Sequence, residues 1–218
     1  MKYSLYLFGS HARNDNDDSS DVDILMIRKG NSAIHQAMIE KKMSGKYGKR
    51  TSISTYSLQN IEKYFTSGHL FAWHLYNEAR YIDGSDGIDF LHQLGRPHEY
   101  GNYLVDLNDF ILLLDDINNL VTELNIGFEM CNLYTVARNI FFFHIYKKFG
   151  VMDFSPYSLF KRNISSPIAL VNYNEYKWMK ASRTFGSVDV LPRHYAQLKQ
   201  DVRLLMVWIK EKQRNGEL

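Results

Sequence analysis

An α+β fold is what this sequence predicts, an α/β part followed by an all-α helical bundle, and three observations lead there. Two apolar, strand-like runs, Tyr3–Phe8 and Val22–Ile27, frame an almost wholly polar loop from Gly9 to Ser20. Helical and strand patterns then alternate as far as Ile82. Beyond Gly101 only helical periodicity remains.

Each element has its own signal. Ala33–Met43 is expected as a helix with Ile34, Met38 and Lys41 on one side, stopped by Ser44-Gly45. Thr51–Tyr56 alternates as a strand, with Ser52, Ser54 and Tyr56 on one face and Thr51, Ile53 and Thr55 on the other. Leu58–Phe65 and Leu70–Asn77 are expected as helices separated by Ser67-Gly68, and Ala79–Ile82 as a short last strand. The Gly-, Asp- and Pro-containing stretch from Gly84 to Gly101 marks the change of pattern, which places domains at 1–95 and 100–218. In the second part Leu107, Ile111, Leu114, Ile117 or Val121, and Leu124 share one helix side, opposite Asp115, Asp116, Asn118 and Asn119. A helix from about Cys131 to Phe149 carries Tyr134, Ala137, Phe141 and Ile145 on one stripe and ends at Gly150. Shorter helices are expected over Ser155–Asn163 and Tyr173–Arg183, and a last long one over Pro192–Lys212 with Leu198, Val202, Leu205 and Ile209 in register. Four or five such helices make a bundle.

Composition excludes several classes. The chain has 218 residues, 26 Lys+Arg against 24 Asp+Glu, a formal charge of +2, 45% hydrophobic and 14% aromatic residues. That is too apolar for disorder and too balanced to call for a nucleic-acid partner. The single cysteine, Cys131, allows neither an internal disulfide nor a Cys-rich zinc site, so a reducing compartment is expected. The apolar run Leu5–Phe8 is too short for a signal-peptide core, and no stretch approaches the roughly 18 to 20 apolar residues that span a bilayer. A cytoplasmic protein with no membrane partner is expected.

The informative segment runs Leu7-Phe8-Gly9-Ser10-His11-Ala12-Arg13, then Asn14 to Ser20, then Asp21-Val22-Asp23. Asp21 and Asp23, two apart at the start of a strand, send both carboxylates off one face. Like charges so placed repel, and Mg²⁺ shared with substrate phosphates resolves the repulsion. Gly9 lets backbone N–H groups approach a phosphate with no Cβ in the way, Ser10 adds a hydroxyl, and Arg13 a fork of donors. The competing reading, an ordinary turn and a solvated acidic loop with Asp15, Asp17 and Asp18, must meet the arithmetic of chance. Gly-Ser, ten residues and Asp-x-Asp match an average chain roughly a few times in a thousand at residue frequencies of about 5 to 7%.

The segment resembles the signature of the polymerase-beta-type nucleotidyltransferase superfamily, its minimal members in particular, over about residues 1–90. The resemblance implies a mixed sheet with flanking helices, Gly9 and Ser10 as binders of the nucleotide triphosphate, Asp21 and Asp23 as catalytic metal ligands, and Mg²⁺ with ATP as donor. It implies transfer of a nucleoside monophosphate, AMP by default, to an unknown hydroxyl acceptor on a small molecule or protein. One departure stands out: the next core strand of such domains carries a third carboxylate, and the matching positions here hold Ser52 and Ser54, neither of which is a base unaided. Either a carboxylate of the helical part, such as Asp115, Asp116, Glu123 or Glu129, serves, in an arrangement resembling kanamycin nucleotidyltransferase, or the chain is a catalytically impaired regulatory or antitoxin-type module.

In the helical part Arg138 and His144, followed by Ile145 and Tyr146, resemble the ribonuclease motif of HEPN domains, with His144 as acid or base and Arg138 stabilising phosphorane charge. Against this, residues six apart lie about 120° apart round a helix, and Ile140–Phe143 between them is core-like. An acceptor-binding or inactive HEPN-like bundle is the preferred expectation. His69 and His74 lack a third metal partner, Lys41, Lys42, Lys46, Lys49 and Arg50 form a solvated basic turn, and the Phe and Tyr stripes suit core or homodimer surface.

Overall fold

The computed structural model describes residues 2–16, 20–30, 33–48, 51–182 and 192–218, and the chain divides into two compact units, Met1–Gly101 and Asn102–Leu218. The first is built on a mixed four-stranded sheet of order β3-β2-β1-β4, with β1 Lys2–Phe8, β2 Val22–Lys29, β3 Thr51–Ser57 and β4 Arg80–Gly84. β1 runs antiparallel to both β2 and β4, and β2 parallel to β3. β2 therefore lies inside the sheet, and its nearly unbroken apolar run is explained by burial on both faces.

Side chains alternate across that sheet. Tyr6, Leu25 and Ile27 pack on Ile61 and Phe65 of α3 (Leu58–Thr66) and on Ala72 and Leu75 of α4 (Leu70–Glu78). Leu5, Val22, Ile24 and Met26 pack on Ile39 and Met43 of α2 (Ala33–Tyr47). The expected face of α2 is thereby corrected: Met38 is 67% exposed, while Ile39 and Met43, four apart, meet the sheet. The Ile34 side chain lies outside what is described. α2 also runs through Ser44-Gly45 to Tyr47, four residues past the expected end at Met43.

Two short helices escaped the sequence reading. α1, Gly9–Arg13, turns inside the loop that looked merely polar, and α5, Phe90–Leu94, buries Phe90 within the stretch that looked like a linker. Asp89 caps α5 by accepting from the His92 N–H, and its Oδ1 also accepts from the Tyr6 hydroxyl, which ties the stretch to the sheet.

The second unit is helical: α6 Tyr103–Leu120, α7 Ile126–Phe149, the single turn α8 Ser158–Lys161, α9 Leu170–Ser182 and α10 Pro192–Arg214. α7 packs against each of the other four. It is buried almost all round, with Phe141 in ring contact with Phe160, Tyr173 and Trp208. The expected α10 register holds, since Leu198, Val202, Leu205 and Ile209 are all buried. Leu124 does not join the apolar side of α6: it is 99% exposed. The helix stops at Leu120 because Asn125 folds back, donating to the Leu120 carbonyl and accepting from the Thr122 N–H. Arg183, the expected end of α9, is outside the described residues. No helix among them is long and apolar enough to cross a membrane.

Candidate functional site

β1 ends at Phe8, which sits opposite Asp23 in the antiparallel register. Gly9 follows with φ +70°, a left-handed conformation that suits glycine, and swings the chain into α1. The turn brings it against the start of β2: a Cβ at Gly9 would lie 2.8 Å from Asp23 Oδ2. Ser10 lies in the first turn of α1, half-buried. Asn14, at φ 58°, ends the helix with its N–H on the His11 carbonyl.

Asp21 immediately precedes β2 and Asp23 is its second residue, in the parity of Leu25 and Ile27, which face α3 and α4. Burial raises the Asp23 carboxyl above its ordinary range, and the Asp21 charge raises it further, while His11, His74 and Arg13 pull it back. The pair is thus a half-buried like-charge site, with three basic side chains in electrostatic reach of Asp23. Asp17 and Asp18 of the acidic loop are outside the described residues.

Arg13 is already engaged. Its Nε donates to both Asp15 carboxylate oxygens at 3.1 Å, and its Nη1 donates to Glu78 Oε2 at 2.6 Å, which leaves Nη2 outside these bonds. The same Glu78 oxygen lies 2.7 Å from His74 Nε2. His11 Nε2 is buried with no hydrogen-bond partner among the described residues. None of His11, His74 and Glu78 was singled out from sequence as part of this site, although the spacing of His74 and Glu78 by one helical turn is a visible pairing signal. His69 does something else: its Nδ1 accepts from the Phe71 N–H and caps α4.

The parallel register sets Ser52 beside Asp23 and Ser54 beside Leu25. A hydroxyl therefore occupies the place next to Asp23, and among the described residues no group of three or more His, Cys, Asp or Glu converges to hold a metal. Of the carboxylates considered in the helical unit, Glu129 is buried and accepts from Asn125, the residue before α7, and from Asn132 of α7 itself.

The Arg138 and His144 pair does not form a solvent-open site. His144 is fully buried, donates through Nδ1 to the Glu217 carbonyl and meets the Trp208 ring edge-on. Arg138 donates to the Phe154 carbonyl. The aromatic, core-like run between them places His144 inside the bundle, while Arg138 is half-buried.

Residues 2–67 match the family model described as Nucleotidyltransferase domain. The N-terminal unit carries a nucleotidyltransferase domain. The matched segment runs from β1 through α3 and contains Gly9, Ser10, Asp21, Asp23 and Ser52, whereas His74 and Glu78 of α4 lie beyond it. No curated protein matches the chain.

Proposed function

We propose that this chain transfers a nucleoside monophosphate, AMP from ATP, to a hydroxyl of a small antibiotic-like molecule or of a protein, in a Mg²⁺-dependent reaction. The observation that carries the reading is the close approach of Gly9 to Asp23: a glycine-led turn directed at one of two half-buried, mutually repelling carboxylates inside a nucleotidyltransferase domain. The donor set fits Mg²⁺, which takes one or two carboxylates and completes its shell with substrate phosphates and water. Asp21 and Asp23 would hold it. Bound there, it would neutralise triphosphate charge and polarise the α-phosphate.

The chain's own residues have defined tasks. The N–H groups and hydroxyl at Gly9-Ser10 bind phosphate oxygens, and Arg13 Nη2, free of the Asp15 and Glu78 bonds, adds a further donor. The acceptor oxygen forms a bond to the α-phosphorus, the bond to the β-phosphate oxygen breaks, and pyrophosphate leaves. The acceptor's proton needs a base that Ser52 cannot be.

That last point supports a second reading, a regulatory or antitoxin-type module that binds MgATP without turnover, because Ser52 stands beside Asp23. Incubation with radiolabelled MgATP and panels of aminoglycosides, lincosamides and proteins separates the two. Label transfer abolished by Asp23→Asn supports the enzyme. Tight MgATP binding with no transfer to any acceptor supports the module, and absence of MgATP binding refutes both.

A further inference from the structure

The N-terminal unit holds a cleft of about 380 Å³ where the end of α4, the start of β4 and α5 come together. That volume suits a small organic molecule. Leu75, Ala79 and Leu91 give it an apolar lining, flanked by two rows of contacts. In the first row the Asp89 carboxylate accepts from the Tyr6 hydroxyl at 2.8 Å, and the Tyr6 ring meets Tyr81 edge-on with centroids 5.9 Å apart. In the second the Arg96 guanidinium lies over the Trp73 ring, 5.2 Å from its centroid, and Trp73 meets Tyr76 edge-on at 5.9 Å. Tyr76 and Tyr81 are 48% and 40% exposed, so each row leaves a large aromatic surface open at the cleft. α4 serves two sites with different faces: Glu78 meets Arg13, whereas Leu75, Tyr76 and Ala79 line the cleft.

Each row ends in a charge without a counter-ion. Asp89 is half-buried; its Oδ1 accepts from the Tyr6 hydroxyl and the His92 N–H, while its Oδ2 accepts no hydrogen bond and no cation lies within ion-pair distance among the described residues. Arg96 touches the Trp73 ring and has no carboxylate partner among them. The two charges do not pair with each other because α5 stands between them in the chain: Asp89 is its N-cap and Arg96 follows its C-cap, Gly95. Seven residues at a helical rise of about 1.5 Å separate their backbones by about 10 Å. We propose that this cleft binds a small aromatic zwitterion whose ammonium and carboxylate stand at opposite ends of its body, the ammonium on Asp89, the carboxylate on Arg96 and the ring against Tyr76 and Tyr81. The planar guanidinium matches a carboxylate fork to fork, and the tyrosine rings favour an aromatic body. A ligand with one charge leaves the other end of the cleft uncompensated, and an α-amino acid, with both charges on one carbon, is too short to reach both ends. The proposal does not depend on Asp21 or Asp23 holding a metal.

The test titrates the full chain with 4-(aminomethyl)phenylacetate, read by calorimetry and ligand-observed nuclear magnetic resonance, with benzylamine, phenylacetate and L-phenylalanine as comparison ligands. The zwitterion is expected to bind with a dissociation constant below about 1 mM. The two singly charged ligands are expected to bind at least about tenfold more weakly, each having lost one charged hydrogen-bonded pair, and L-phenylalanine at least about fivefold more weakly. Asp89→Asn, which keeps a capping side chain on α5, should weaken the zwitterion and benzylamine and leave phenylacetate within about twofold. Arg96→Gln, at an exposed position, should do the converse: weaken the zwitterion and phenylacetate and spare benzylamine. A merely structural role for either residue does not produce that crossed pattern. Absence of binding, a zwitterion held no more tightly than the singly charged ligands or L-phenylalanine, binding retained in both variants, or a uniform loss of every ligand in Arg96→Gln overturns the proposal.

Discussion

Replacing Gly9 by alanine tests how the loop and the strand are joined. At φ +70° an L-residue carries left-handed strain of roughly 1–2 kcal/mol, and the new methyl would stand 2.8 Å from Asp23 Oδ2, inside van der Waals contact. Either the carboxylate or the entry to α1 must move by several tenths of an ångström. Gly30 supplies the control: it too has positive φ, +89°, but a Cβ there meets nothing within 4 Å. Gly30→Ala thus carries the backbone strain without the contact. Urea unfolding is expected to show a loss of roughly 1–2 kcal/mol in both variants. Divalent-ion and MgATP affinity, read by calorimetry, is expected to fall about tenfold or more in Gly9→Ala alone, the equivalent of about 1.4 kcal/mol. If Gly9→Ala binds both ligands as tightly as Gly30→Ala does, the close approach of Gly9 to Asp23 has no part in the site.

Further expectations concern the charges. Saturating Mg²⁺ at about a hundred times its dissociation constant should stabilise the wild-type chain by about 2.7 kcal/mol, and the Asp21→Asn, Asp23→Asn double variant should lose that gain in thermal unfolding. Burial holds His144 below the ordinary imidazole range, so the unfolded chain takes up its proton first; stability therefore falls as pH drops through about 6.5, and His144→Gln flattens that slope in urea titrations. Glu217, held down to about 2 by Lys148 and Lys212, stays ionised throughout and does not contribute to that slope. In the helical unit Tyr176 donates to the buried Asp201 at 2.6 Å, and Tyr176→Phe should cost about 1–3 kcal/mol in urea unfolding while leaving Mn²⁺ binding unchanged.

Much of this was readable in sequence wherever one local rule governed. Strand alternation gave β3 its faces, and a repeat of three and four placed Leu198, Val202, Leu205 and Ile209 in the core. Signals failed where tertiary contact decides. Met38 and Ile39 are equally good helix apolars, and only the sheet beneath α2 selects Ile39. α1 has too few residues for periodicity, and α5 hides among turn residues because its anchor is the distant Tyr6 hydroxyl. For the candidate site, the spacing of Gly9-Ser10 from Asp21 and Asp23 was legible because chain geometry ties them locally. Glu78 was not, since its meeting with Arg13 spans 65 positions that only the packing of α1 on α4 brings together.

The most direct test of the central claim is a calorimetric titration with Mg²⁺ and a non-hydrolysable ATP analogue, run on the wild-type chain and on Asp23→Asn. Saturable binding at one site that requires Mg²⁺ and is lost in Asp23→Asn is the expected result. Wild-type binding that persists without Mg²⁺ or survives in Asp23→Asn, or no binding at all, contradicts the claim that Asp21 and Asp23 hold a metal–triphosphate complex.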